Sequence, residues 1–185
     1  MTDEPTGPAS LPPRRVWVLA LVAPVVLLLD ILTKVVAVAT LADGPPVRLL
    51  GGLVNLVLVR NPGAAFSMAT GYTWVLSIIA LGVVVVIVRI SRKLRSVGWA
   101  IALGLVLGGA LGNLVDRVFR APGPLQGHVV DIISVVEPDG SFFPVFNLAD
   151  SAIVCGGILL VLLALTGREL DGTRANAPER ETAGE

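Results

Sequence analysis

Apolar residues fall into four long blocks, separated by stretches where charged residues, glycine and proline take over. The blocks cover about residues 16–40, 72–90, 97–115 and 148–166, each near the ~20 residues that a helix needs to cross a bilayer. They predict an all-α membrane protein with four transmembrane helices. Between the first two blocks, Leu53–Val59 (LVNLVLV) reads as a short strand between Gly51-Gly52 and Asn61-Pro62-Gly63. Residues 117–145 form a loop with four prolines and two β-prone fragments, HVVDIISVV and SFFPVF. A small β element beside the bundle is therefore expected. Residues 1–13 and 167–185 are polar or charged and are expected to be disordered, which leaves 14–166 as one four-span domain.

The charges orient these spans. Arg14, Arg15, Arg89, Arg92, Lys93, Arg95 and Arg168 all fall on one side of a four-span topology. By the positive-inside rule that side is the cytoplasm, both termini lie there, and the two long loops face outward. A cleaved signal peptide is the competing reading, with Arg14-Arg15, an apolar run and Ala37-Val38-Ala39 as the cleavage site. Asp30 and Lys34 interrupt that run, and its loss would leave three spans and upset the charge asymmetry.

Composition narrows the chemistry. Hydrophobic residues make up 54% of the chain and charged residues 15%, far from the balance of a soluble domain. Net charge is zero and no basic patch alternates with aromatics, so no nucleic-acid partner is expected. Cys155 and His128 are single, which leaves no internal disulfide and no zinc constellation. Neither a metal nor a cofactor is implied, and Cys155 is read as packing inside a span.

Two polar strings break the apolar pattern: GGALGNLVDR at Gly108–Arg117 and FNLADSAI at Phe146–Ile153. Each places an asparagine three residues before an aspartate, Asn113 with Asp116 and Asn147 with Asp150, so both side chains share a helical face. Each string sits where a span meets the membrane surface on the same side. Two carboxylates at one depth, from two helices, point to an aspartyl dyad of Asp116 and Asp150 sharing a water. The N-terminus of span four favours negative charge at Asp150, and the C-terminus of span three opposes it at Asp116, dividing the pair into base and acid. Blander roles compete. Asn147 and Asp150 suit a helix cap, Asp116 suits an ion pair with Arg117 or Arg120, and Asn113 suits a contact between helices. Asp30 and Lys34, one turn apart, either pair with each other or join the site. Gly104, Gly108 and Gly112 form a smooth stripe for helix packing. The turn at Asn61, Gly63 and Ala64 offers a substrate contact with a small-residue floor. Asp131 is taken as a structural or substrate-positioning acid.

The ordered strings DxxTK at Asp30, RNPGAAFS at Arg60, GGALGNLVDR, VVDII and FNLADSAI together resemble the bacterial lipoprotein signal peptidases, or signal peptidase II. The resemblance spans residues 16–166, with VDII standing where the family has VDF. It implies a four-span peptidase of the bacterial inner membrane, with its active site near the outer face and a small extracytoplasmic sheet. Its substrates would be prolipoproteins, cut just before a cysteine that carries diacylglycerol. It further implies Asp116 and Asp150 as the catalytic pair, with Asn61, Asn113, Arg117 and Asn147 around them and Asp30 and Lys34 nearby. The enzyme is expected to act as a monomer among membrane lipids. A small transporter or proton relay through Asp30, Lys34, Asp116 and Asp150 is the alternative from another class, and it needs polar groups through the membrane depth. A structural membrane scaffold is a third reading, which leaves Asp116 without a role.

Overall fold

The computed structural model describes residues 11–42, 44–63 and 73–175. Four helices in it are long and apolar enough to cross a membrane: α1 (Val16–Leu41), α2 (Thr73–Ser91), α3 (Val97–Phe119) and α4 (Leu148–Leu165). The third is longer than the hydropathy pattern predicts. It continues one turn through Asp116 and Arg117 to Phe119, and Arg120 caps it by donating its backbone N–H to the Asp116 carbonyl. Three strands, β1 (Val47–Leu49), β2 (Val54–Asn61) and β3 (Val129–Val135), form an antiparallel sheet in that order. The fragment SFFPVF forms no strand; it contributes one isolated bridge, between Phe146 and Ile133.

The third helix is the centre of the bundle, packed against each of the other three. Its sequence explains why. The stripe of Gly104, Gly108 and Gly112 faces α1, where a Cβ would collide with Val22, with Val26 and with the Asp30 carboxylate respectively. At Gly112 that collision would be at 2.4 Å, so the bare backbone is what admits the carboxylate of Asp30 between α1 and α3. Leu103 and Leu107 of α3 join Val18, Leu19, Ala23, Ile87 and Leu94 in the main core cluster. A second cluster joins the sheet to the far end of α1 through Ala37, Val130 and Ile132.

The sheet carries one irregularity that matters for chemistry. Leu56 pairs with Ile133 and Val59 with Asp131, so three steps along β2 match two along β3. The extra residue is a β-bulge, and it reverses which side chains of β2 share a face with β3. An unbroken register would set Arg60 opposite Val129; the bulge sets Asn61 there instead. Asn61 thereby becomes the diagonal neighbour of Asp131 on one face.

Two further expectations need correction. Cys155 is exposed, on the same outward face of α4 as Val154, Ile158 and Leu162, and packs no core. Residues 167–175 are not a disordered tail. They fold back as hydrogen-bonded turns, with the Leu170 carbonyl accepting from the N–H of Arg95 and of Ser96, and the Arg168 carbonyl accepting from Trp99 Nε1 at 2.8 Å. Arg95 in turn reaches the carbonyls of Leu11 and Pro12, so these two residues are held as well.

Candidate active site

Polar side chains converge at the end of the bundle that carries the sheet. The first turn of α4 sets the geometry. Asn147 is its N-cap: its Oδ1 accepts from the Asp150 N–H at 2.9 Å, and Asp150 Oδ2 accepts from the Asn147 N–H at 3.2 Å. This capping box satisfies two donors that the helix end otherwise leaves open. The capping role of Asn147 and Asp150 is therefore real, and it aims both side chains at α3. There Asn113 Nδ2 donates to Asp150 Oδ1 at 2.7 Å.

A buried ion cluster supports this turn from below. Lys34 is 1% exposed and reaches Asp30 at 2.8 Å, Asp116 at 2.9 Å and Asn113 Oδ1 at 3.1 Å. Asp30 also accepts from the Ala149 N–H at 3.0 Å, which fastens α1 to the start of α4. Asp116 is fully engaged: one oxygen meets the Arg120 guanidinium, and the other meets Lys34 and the Val130 N–H at 3.1 Å. The two readings of the Asp30–Lys34 pair thus merge, since the pair forms and also holds the site.

A groove of about 740 Å³ opens above the cluster, between β2, α2, the start of α4 and the loop 139–146. Three carboxylates line it: Asp150 and Asp131 on its inner side, with Asn61, Gly63, Arg60 and Arg117 beside them, and the exposed Asp139 on the loop. Asp131 is held by Asn61 Nδ2 at 2.8 Å and by Asn147 Nδ2 at 2.7 Å. The guanidinium Nη1 of Arg117 is buried and has no hydrogen-bond partner among the described residues. Gly63 turns the chain at φ +108°, a conformation L side chains rarely adopt, and its N–H bonds to Asn61 Oδ1 at 2.8 Å. Ala64 lies outside the described residues.

The sequence pairing of Asp116 with Asp150 does not match this placement. Asp116 is 2% exposed, lines no part of the groove, and is paired with the cations Lys34 and Arg120. The buried carboxylate that shares the groove with Asp150 is Asp131; Asp139, also on the lining, is exposed and accepts from the Ser141 N–H. Its signal in the sequence is slight, a lone acid in the apolar string VVDII. The other polar candidates all meet in one network: Asp30, Lys34, Asn61, Asn113 and Asn147 through hydrogen bonds, and Arg117 through the groove.

Burial raises the Asp131 carboxyl to about 6, and the negative charge of Asp150 adds to the rise. The amide donors of Asn61 and Asn147 and the charge of Lys34 pull the other way without cancelling it. The folded protein therefore binds this proton more tightly than the unfolded chain, whose ordinary value is 3.8. That contribution is fully present below pH 3.8 and is lost as pH rises through about 6. Thermal melts of the detergent-solubilised protein between these values are expected to show stability falling by about 2–3 kcal/mol as pH rises. Asp131→Asn should flatten that slope; an unchanged slope would assign the pH dependence to other groups.

Four apolar spans, a small sheet at one end and a carboxylate-lined groove beneath it define a multi-pass membrane protein with a built polar site. The family model for signal peptidase (SPase) II matches residues 22–166, and the chain belongs to that family. A lipoprotein signal peptidase of Rhodococcus jostii (strain RHA1) is 61% identical over 175 residues, covering 93% of this chain and 86% of the relative. One of Mycobacterium avium (strain 104) is 56% identical over 184 residues, covering 97% and 98%. Among solved structures, a bacterial membrane enzyme determined by the in meso method at 2.3 Å resolution superposes with a TM-score of 0.75 at 28% identity, covering 94% of this chain and 99% of that one.

Proposed function

We propose that this chain is an aspartyl endopeptidase that removes the signal peptide from diacylglyceryl-modified prolipoproteins, cutting before the lipidated cysteine. Family membership supports the reaction and the substrate class. The observation that carries the catalytic type is the pair of carboxylates, Asp131 and Asp150, on one groove at the membrane-embedded bundle's end. Asp150 takes the role of base. It sits in the first turn of α4, where the helix favours negative charge, and receives donors from Asn113 and Asn147. Asp131, whose carboxyl burial pushes up to about 6, takes the role of acid.

In this reading a water between the two gives a proton to Asp150 as its oxygen attacks the scissile carbonyl carbon. The Asp131 proton goes to the carbonyl oxygen, forming a neutral gem-diol. Collapse breaks the C–N bond, returns one hydroxyl proton to Asp131, and moves the Asp150 proton to the departing amine. Arg117 lines the groove beside both carboxylates and is placed to hold a substrate carbonyl. Asp116 is a positioning residue that holds β3 through the Val130 N–H and anchors Lys34.

The charge asymmetry supports cytoplasmic termini and a groove at the outer face of the inner membrane. One chain supplies the whole network, which supports a monomeric enzyme bathed in membrane lipid. A proton relay is the weaker reading, because the polar cluster gathers at one end while the outward faces of α2 and α4 carry apolar side chains such as Ile79, Val86, Val154 and Val161. The test is a side-by-side assay of one precursor with and without diacylglycerol, in the same bilayer. Acyl chains left in lipid fix the cleavage point at the groove's depth and convert the encounter into an oriented step. The lipidated precursor is expected to be cut at least about a hundredfold faster. Equal rates would favour a general intramembrane peptidase.

A further inference from the structure

The opposite end of the bundle, where α1 and α3 begin and α4 ends, holds a second cavity of about 390 Å³. Its lining includes Arg15, Arg95, Arg168 and Arg174, with Glu169 as the one carboxylate. Among the described residues, none of these four arginines forms a salt bridge. Arg95 is fixed by the carbonyls of Leu11 and Pro12. Arg168 and Arg174 sit directly opposite each other as an antiparallel bridge pair. Like charges in that position repel, and the turn is nonetheless held closed by the Ala175 N–H on the Gly167 carbonyl at 2.9 Å and the Glu169 N–H on the Thr173 carbonyl at 3.0 Å. Ser96, the N-cap of α3, also lines the cavity, and its hydroxyl makes no capping bond. Guanidinium groups converging on the positive end of a helix form the chemistry of a phosphate site.

We propose that this cavity binds the phosphate head group of an anionic membrane lipid, a role independent of the peptidase site. The location decides for a lipid over a soluble anion. The cavity lies where three spans leave the apolar region, and the exposed side chains of Trp17 and Leu165 flank that level, so a head group seated there has its acyl chains alongside α1 and α4. A volume of about 390 Å³ suits a head group. A bound phosphate would also relieve the repulsion between Arg168 and Arg174.

The full-length protein is titrated in neutral detergent with fluorescent phosphatidylglycerol and, separately, phosphatidylcholine. The variant pair Arg168→Gln/Arg174→Gln is set against Arg89→Gln/Arg92→Gln, which removes the same charge from the same end without touching the cavity. Phosphatidylglycerol is expected to bind more tightly than phosphatidylcholine. The cavity pair should weaken phosphatidylglycerol binding about ten- to thirtyfold, and the control pair less than about twofold. Melting curves in phosphatidylcholine should match wild type for both pairs, showing that the turn still folds. Equal losses in both pairs would reduce the effect to diffuse surface charge and overturn the proposal. So would inorganic phosphate that raises the wild-type melting temperature as far as phosphatidylglycerol does and displaces the lipid fully.

Discussion

Asp131→Asn and Asp150→Asn are each expected to cut turnover of a lipidated precursor by about three to four orders of magnitude, with the protein still folded in the membrane. The two substitutions remove the acid and the base from the one groove that holds both, and neither amide can take a proton from water. Asp116→Asn is expected to behave differently. Its carboxylate meets Lys34, Arg120 and the Val130 N–H. Losing its charge leaves the buried Lys34 with Asp30 as its remaining carboxylate and Arg120 without its carboxylate, so stability falls by a few kcal/mol and activity falls with it. The discriminating measurement is turnover beside a melting curve for the same preparation. Asp131→Asn should separate the two, inactive at near-normal stability, and Asp116→Asn should not. Near-normal turnover by Asp131→Asn would sink the proposed pair and return Asp116 to candidacy.

Charge counting within the cluster points the same way. Asp30, Asp116, Asp131 and Asp150 supply four carboxylates, against the three cations Lys34, Arg117 and Arg120. Full ionisation leaves one negative charge uncompensated in a poorly solvated site. A single proton on Asp131 restores neutrality, and a pair of carboxylates sharing one proton is what water-based peptide hydrolysis requires. Asp30 and Asp116 consume two of the cations before the groove is reached, which leaves Arg117 facing Asp131 and Asp150.

The four spans were legible because membrane length leaves a long, redundant signal in the apolar pattern. The polar strings were legible because asparagine and aspartate are rare at such depth, so Asn113, Asp116, Asn147 and Asp150 stood out. Which carboxylates meet was not legible. The pair of Asp116 with Arg120 was one of the readings its sequence neighbours allowed, but its other partners, Lys34 and Val130, lie 82 and 14 residues away. Asp131 looked ordinary because its value depends on a bulge in β2 that turns Asn61 toward it, and a register shift of one residue has no clear mark in LVNLVLVRN. The turn formed by residues 167–175 was hidden for a similar reason. Its backbone bonds to Arg95, Ser96 and Trp99 are tertiary, while its charged composition resembles that of a loose tail.

Lys34→Met is expected to have the largest effect on stability. The ammonium group pairs with Asp30 on its own helix and holds α1 to α3 through Asp116 and Asn113 while almost wholly buried. Methionine fills much of the same volume, so the change is one of charge more than of packing. It leaves Asp30 and Asp116 buried with only Arg120 to oppose them, and breaking a buried pair from one side costs about 3–5 kcal/mol. At the usual scaling for a chain of this size, the melting temperature falls by about 10 °C. Catalysis suffers separately. Asn113 loses one of the two donors that fix its Oδ1, keeping only Asn147 Nδ2 at 3.2 Å, and its own Nδ2 is the group that positions Asp150. The double variant Lys34→Met/Asp30→Asn removes one of the stranded carboxylates and leaves Asp116 with Arg120. It should recover roughly half of the lost stability, a coupling that a double-mutant cycle reads directly. Stability and activity then part company, because the restored fold still lacks the ammonium that, with Asn147, orients Asn113. Recovery of turnover in step with stability would show that Lys34 acts on the site only by holding the bundle together.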